Sequence, residues 1–261
     1  MLFDVIASFH KYLEGKYAHT TVRTYANALE TLLKGQNLNF NVTNMDMEKV
    51  IEHFSKIKYK NHFSKAKNAF LLFCEFSNYP LFDFFLTEIK ILEAKTVKKY
   101  RRLKALDFWE IDKKIKRIKN LKLKLSYQTI IATGLRVSEL AQITIKDCAF
   151  LDSEALFTFT AKGGKEETIK IIKNEHEKLF DDLKKAHVML SKKDKPTTKM
   201  FYSAVYLQAK AKVLGFSCHD LRRAFAKLEY RKTKSKKEVM QKLRHSSMKN
   251  TNIYLRSKIK I

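Results

Sequence analysis

The sequence predicts a mainly α-helical protein with one small β-hairpin, built as an N-terminal helical bundle followed by an α+β domain. Two observations carry that expectation. Apolar side chains recur at helical spacing along most of the chain, and only ALFTFTAKGGKEETIKII reads as two strand-forming runs around a turn. Composition agrees: 261 residues with 45% hydrophobic content, six Gly and two Pro suffice for two modest cores and leave little loop-forming material.

From the N-terminus, TTVRTYANALETLL spaces Val22, Tyr25, Leu29 and Leu32 along one helical face, with Thr20 or Thr21 as the expected cap. TNMDMEKVIEHFSKI then offers Met47, Val50, Ile51 and Phe54 on one face, and Thr43 with Asp46 as a capping box. SKAKNAFLLFCEF and LFDFFLTEIKIL add two apolar segments around an SNYP turn, so residues 1–94 read as a bundle of four or five helices. Positions 95–104 hold six basic residues without an apolar period and read as a linker able to follow a phosphate backbone. The second domain is expected over 105–261. In LDFWEIDKKIKRI, Asp107 and Glu110 stand at capping positions, with Ile111, Ile115 and Ile118 on one face; SYQTIIATG is a helix stopped by Gly134. Beyond the hairpin, helices are expected at about 174–189, 199–214, 219–232 and 235–244, with Ser235 and Glu238 as a capping box. Ser246 and Ser247 are expected to cap the last helix.

Charge narrows the function. Fifty-three Lys and Arg against 27 Asp and Glu give a net +26, far more than solubility requires, and point to a polyanionic partner. Residues 101–261 hold 39 basic and 17 acidic side chains, residues 1–100 only 14 and 10, so the C-terminal part carries most of the field. No apolar run is long enough to span a bilayer and the opening residues lack the features of a signal peptide, which predicts a cytoplasmic protein without a membrane partner. Cys74, Cys148 and Cys218 lack metal-ligand spacing and are expected as reduced, buried thiols.

Chemistry on a phosphodiester needs donors for the nonbridging oxygens, a nucleophile, and a proton donor for the leaving oxygen. Three segments supply such groups: TGLRVSEL carries Arg136 just past a helix stop, CHDLRRAF carries His219 and Arg222 three residues apart, and RHSSMKNTNIY carries His245 and Tyr254. The hairpin adds Lys162. Each alone reads as a surface charge or a packed ring. Their order and spacing together resemble the tyrosine recombinases of the lambda-integrase family, Xer-type enzymes included, and FHKYLEGKYAHTTVRTYANAL is similar to the opening of Xer-type chains.

The resemblance implies an N-terminal helical core-binding domain and a C-terminal catalytic domain that together clamp double-stranded DNA. It implies that Arg136, Arg222 and His245 hold the nonbridging oxygens, Tyr254 attacks phosphorus, Lys162 protonates the 5′ oxygen, and His219 assists proton transfer at the tyrosine. It further implies a 3′-phosphotyrosyl intermediate, no cofactor or metal, and strand exchange through a Holliday junction within a homo- or hetero-tetramer on paired sites. Lys98, Lys99, Arg101, Arg102, Lys165, Arg223 and Arg244 are expected phosphate-binding residues, with Lys165 a second candidate for the proton donor. The chain departs from the family where Arg244 replaces the Gly of Leu-Gly-His, where EETIKI follows the hairpin turn, and in the seven residues after Tyr254. A type IB topoisomerase-like nicking and closing enzyme, or a DNA-binding accessory protein without catalysis, are the alternatives.

Overall fold

Helical periodicity becomes helices almost wherever the sequence places it. The structure, a computed structural model, describes residues 2–36, 38, 45–81, 83–97, 106–161, 164–193, 195–257 and 259–261. The chain divides into two compact units, Met1–Arg102 and Leu103–Ile261.

The first unit holds α1 (Leu2–Leu13), α2 (His19–Leu32), α3 (Met47–Ser55), α4 (Lys60–Phe76) and α5 (Asp83–Lys95). Val22, Leu29 and Leu32 of α2 are buried as their spacing requires, and they share a core with Phe54, Phe63, Phe70, Phe73 and Phe85. The α2 cap differs from expectation: His19 already starts the helix and Ala18 is its N-cap, while the Thr24 hydroxyl donates to the Thr20 carbonyl. Asp46 caps α3 by accepting from the Lys49 N–H at 3.1 Å; Thr43 lies outside the described residues. The SNYP turn is closed with Asn78 in the left-handed region (φ +49°).

The second unit begins with β1 (Leu106–Asp107), α6 (Phe108–Lys116), α7 (Leu121–Thr133) and the one-turn α8 (Val137–Leu140). Asp107 caps α6, accepting from the Trp109 N–H at 2.8 Å. Then come β2 (Cys148–Phe150), β3 (Glu154–Thr160) and β4 (Glu166–Ile172), an antiparallel sheet in the order β2-β3-β4 with Phe157 opposite Ile169. The hairpin is thus part of a three-stranded sheet, packed by Ala155, Phe157, Phe159 and Ile171 against the core. Helices α9 (Glu177–Lys193), α10 (Ala204–Val213), α11 (Cys218–Thr233), α12 (Lys236–Lys242) and α13 (Met248–Leu255) follow, and β5 (Ile259–Lys260) pairs in parallel with β1. Ser235 caps α12 through the Glu238 N–H at 3.3 Å. Ser247 takes the N-cap position of α13 without a side-chain bond, so neither serine caps it as expected. All three cysteines are free and buried, and burial raises their thiols to about 12, 12 and 11 for Cys74, Cys148 and Cys218. Among the described residues no helix is long and apolar enough to cross a membrane.

Candidate active site

Four local structures aim the relevant side chains. The first is the α7–α8 turn, where Gly134 adopts φ +64° as C-cap and donates its N–H to the Ile130 carbonyl at 2.9 Å. A Cβ at Gly134 would stand 2.4 Å from Phe225 Cδ1, so glycine is required both by conformation and by the close approach of α11. Arg136 follows as N-cap of α8, its backbone N–H donating to Glu139 Oε2 at 2.8 Å and its guanidinium to Glu139 Oε1 at 2.5 Å.

The second is the start of α11. Ser217 and Asp220 form a reciprocal capping box there: the Asp220 N–H donates to Ser217 Oγ at 3.2 Å, and the Ser217 N–H to Asp220 Oδ2 at 2.9 Å. This fixes the first turn that carries His219, while Arg222, one turn on, points into the protein. Its side chain is 1% exposed, and it donates to the carbonyls of Gly134 and Leu243. Burial and the charge of Arg136 lower its pKa to about 10.

The third is the α12–α13 connection. Arg244 occupies the position after the helix end with φ +53°, its N–H donating to Gln241 O at 2.8 Å and the His245 N–H to Met240 O at 3.1 Å. This double bond pattern is the Schellman ending, which favours glycine at the residue Arg244 fills. Its guanidinium lies 3.0 Å from Glu139 Oε2 and 3.2 Å from Glu167 Oε2 on β4, over the ring of Phe159. The fourth is α13 itself, which carries Tyr254 back over α11. The phenol oxygen is 3.4 Å from His219 Nδ1, and the ring stands edge-on to that of His245 with centroids 4.8 Å apart at 87°.

The structure therefore gathers Arg136, His219, Arg222, His245 and Tyr254 from three chain segments. The fields of Arg136 and Arg222 reach both imidazoles. Burial, with Arg222, Arg136 and Arg244, lowers His245 to about 4. His219 keeps solvent access, yet the protein crowded around it, with Arg223 and Arg222, holds it below its ordinary range. Both imidazoles are neutral at neutral pH. Lys98, Lys99, Arg101, Arg102 and Lys162 lie outside the described residues. Lys165 is exposed beside the hairpin turn. Arg223 and Arg244 are already paired: Arg223 donates to Asp220 Oδ1 at 2.7 Å and sits over the Tyr254 ring at 5.9 Å, and Arg244 faces two carboxylates.

One residue escaped sequence reasoning. Glu139, 3% exposed, sits among the guanidiniums of Arg136 and Arg244, with Arg222 Nη1 4.0 Å away. Burial alone would raise its carboxyl, but the Arg136 N–H and the Arg136 and Arg244 charges prevail and lower it. A carboxylate three residues after an arginine reads as a helix-surface pair, so the signal pointed outward. Among the described residues no three His, Cys, Asp or Glu side chains gather as a metal-binding group.

An arginine cluster of this order, with a phenol beside a neutral imidazole, on a helical domain with a three-stranded sheet, defines an integrase-type domain. The chain belongs to the phage integrase family, matched over residues 101–260. The tyrosine recombinase XerH of Campylobacter jejuni is 31% identical over 144 residues, which cover 50% of this chain and 40% of that protein. Tyrosine recombinase XerA of Pyrococcus horikoshii is 26% identical over 262 residues, covering 96% of this chain and 88% of that one. In structure, the chain resembles a lambda integrase crystallised as a dimer on a COC′ core site, with a TM-score of 0.64 at 17% identity, over 99% of this chain and 98% of that one. The match to the Campylobacter protein spans well under half of that relative's length.

Proposed function

We propose that this chain is a site-specific DNA recombinase that cuts and rejoins strands through a 3′-phosphotyrosyl bond. The observation that carries the reading is Tyr254 held 3.4 Å from His219 Nδ1 while the fields of Arg136 and Arg222 converge on the same pocket. A phenol is a weak nucleophile until its proton has somewhere to go, and a neutral imidazole at hydrogen-bond distance is a competent acceptor. In this reading the Tyr254 oxygen bonds to phosphorus as its proton passes to His219. The bond from phosphorus to the 5′ oxygen breaks, and Lys162, or Lys165 in its place, protonates that oxygen. Arg136, Arg222 and His245 stabilise the charge on the nonbridging oxygens. Phosphoester energy is retained in the phosphotyrosine, so the 5′ hydroxyl of another strand reverses the step without ATP or a metal cofactor.

Double-stranded DNA is the proposed partner; the net charge of +26 and the DNA-bound lambda integrase relative both support it. Residues 1–94 would add a second DNA-binding surface, and the basic stretch 95–104, with Lys98, Lys99, Arg101 and Arg102, a phosphate contact. A tetramer on two sites, exchanging strands through a Holliday junction in the cytoplasm, completes the proposal. The test is a nicked suicide substrate carrying a candidate site. The native chain forms a covalent adduct, Tyr254→Phe forms none, and an adduct that persists in Tyr254→Phe removes the assignment. Pairing of two labelled sites by the native chain separates recombination from simple nicking and closing, which needs one site only.

A further inference from the structure

We infer that Thr251 is a positioning residue that fixes the tautomer of His245, so that Nε2 carries the proton and faces the phosphate; this rests on the recombinase reading above. Thr251 lies one turn before Tyr254 on the same helix, and it is fully buried. Its hydroxyl is 3.0 Å from His245 Nδ1. A neutral imidazole has one N–H, and two arrangements of this bond are possible. If Nδ1 held the proton it would donate to the threonine oxygen, and the threonine O–H would be left buried with no acceptor among the hydrogen bonds of the described residues. A buried unpaired donor is costly, whereas a hydroxyl rotates freely to donate. The threonine therefore donates, Nδ1 accepts, and the proton resides on Nε2.

The remaining contacts agree. Nε2 has no hydrogen-bond partner among the described residues, while the edge-on Tyr254 ring fixes the imidazole plane. The charges of Arg222, Arg136 and Arg244 oppose a second proton, which keeps the choice one between two neutral tautomers. A lone pair at Nε2 would repel a nonbridging oxygen, and an N–H there binds it. The same helix that presents the nucleophile thus also sets the donor beside it.

Nitrogen-15 spectra of the imidazoles in the free full-length protein at neutral pH test this directly, with His245 assigned from the His245→Gln variant. The expected result is an Nε2–H tautomer in the native chain and in Thr251→Ser, and a mixture in Thr251→Val. Adduct formation on the suicide substrate should fall roughly fivefold to tenfold in Thr251→Val, at unchanged DNA affinity, and return in Thr251→Ser. An Nδ1–H tautomer in the native chain overturns the inference without any variant having to fold. So does a Thr251→Val protein that keeps both tautomer and rate. If the native chain forms no adduct at all, the recombinase reading fails, and the phosphate-facing half of the inference with it, while the tautomer spectrum still decides the hydrogen bond.

Discussion

Glu139→Gln is the most discriminating perturbation of the site. It removes one negative charge while keeping the side chain's shape, and leaves Arg136 without its carboxylate, Arg244 with Glu167 alone and Arg222 without its neighbour at 4.0 Å. Breaking a buried ion pair by removing one partner costs about 3–5 kcal/mol, because the surviving charge stays desolvated. Arg136 is 27% and Arg244 16% exposed, so water compensates part of the loss and the lower end, about 3 kcal/mol, applies. For a unit of this size 1 kcal/mol moves Tm by about 2–4 °C, so melting should fall by about 6–12 °C. Thermal and urea unfolding followed by circular dichroism measure it. The Glu139 carboxyl is lowered in the folded state, so its contribution is present above the unfolded carboxyl's range and fades as pH falls through the folded value. The gap between native chain and variant should therefore narrow in acid. Millimolar sulfate should stabilise the variant more than the native chain, since the uncompensated guanidiniums form an anion site. A loss below about 1 kcal/mol, the worth of an exposed pair, would refute the claim that Glu139 neutralises the cluster.

Gly134→Ala should cost about 2–5 kcal/mol in urea unfolding, from left-handed strain plus the Cβ driven against Phe225; a loss under about 1 kcal/mol would mean the turn repacks freely. Arg244→Ala should be less stable than Arg244→Gly by about 1 kcal/mol, because both lose the Glu139 and Glu167 contacts but only glycine accepts φ +53° without strain; equal stabilities would remove strain from the account. His245, held at about 4 against an ordinary 6.5, binds fewer protons folded than unfolded. Its stabilising contribution is thus present above pH 6.5 and lost as pH falls toward 4, and His245→Gln should flatten the dependence of Tm on pH in that window; an unchanged slope counts against the shift.

Much of this was legible because periodicity and glycine report backbone needs directly. Gly134 stops α7 in the sequence and in the structure, and the close approach of Phe225 gives it a second reason the sequence could not carry. His219 and Tyr254 were placed by motif spacing, and their meeting follows from α13 folding back over α11. What escaped depends on long-range partners. The parallel pairing of Leu106 with Ile259 joins two-residue strands at opposite ends of the second unit, too short for any alternation to show. Thr20 and Thr21 have the chemistry of caps, but the helix starts at His19 and already contains both. Arg223, Arg244 and Glu139 are residue types that ordinarily face water, so only the fold shows them turned inward and paired.

Those inward pairings set the electrostatics of the pocket. With Arg223 neutralised by Asp220 and both imidazoles uncharged, the guanidiniums of Arg136, Arg222 and Arg244 face the carboxylates of Glu139 and Glu167, an excess of one positive charge. A phosphodiester brings one negative charge and gains a second as the fifth oxygen bonds to phosphorus. In the proposed reaction an excess of one matches the resting diester, and the charge that develops beyond it calls on the His245 N–H and on the lysine that protonates the leaving oxygen. Protonated histidines would raise the excess and, in the proposed mechanism, bind the resting diester more tightly while removing His219 as an acceptor for the Tyr254 proton. Glu139 limits the excess from the other side, since a cluster of bare arginines would hold any anion and fold poorly. In the proposed reaction the two carboxylates and the neutral imidazoles thus hold the cluster near the charge of the resting diester, and leave the developing charge to donors that act as it forms.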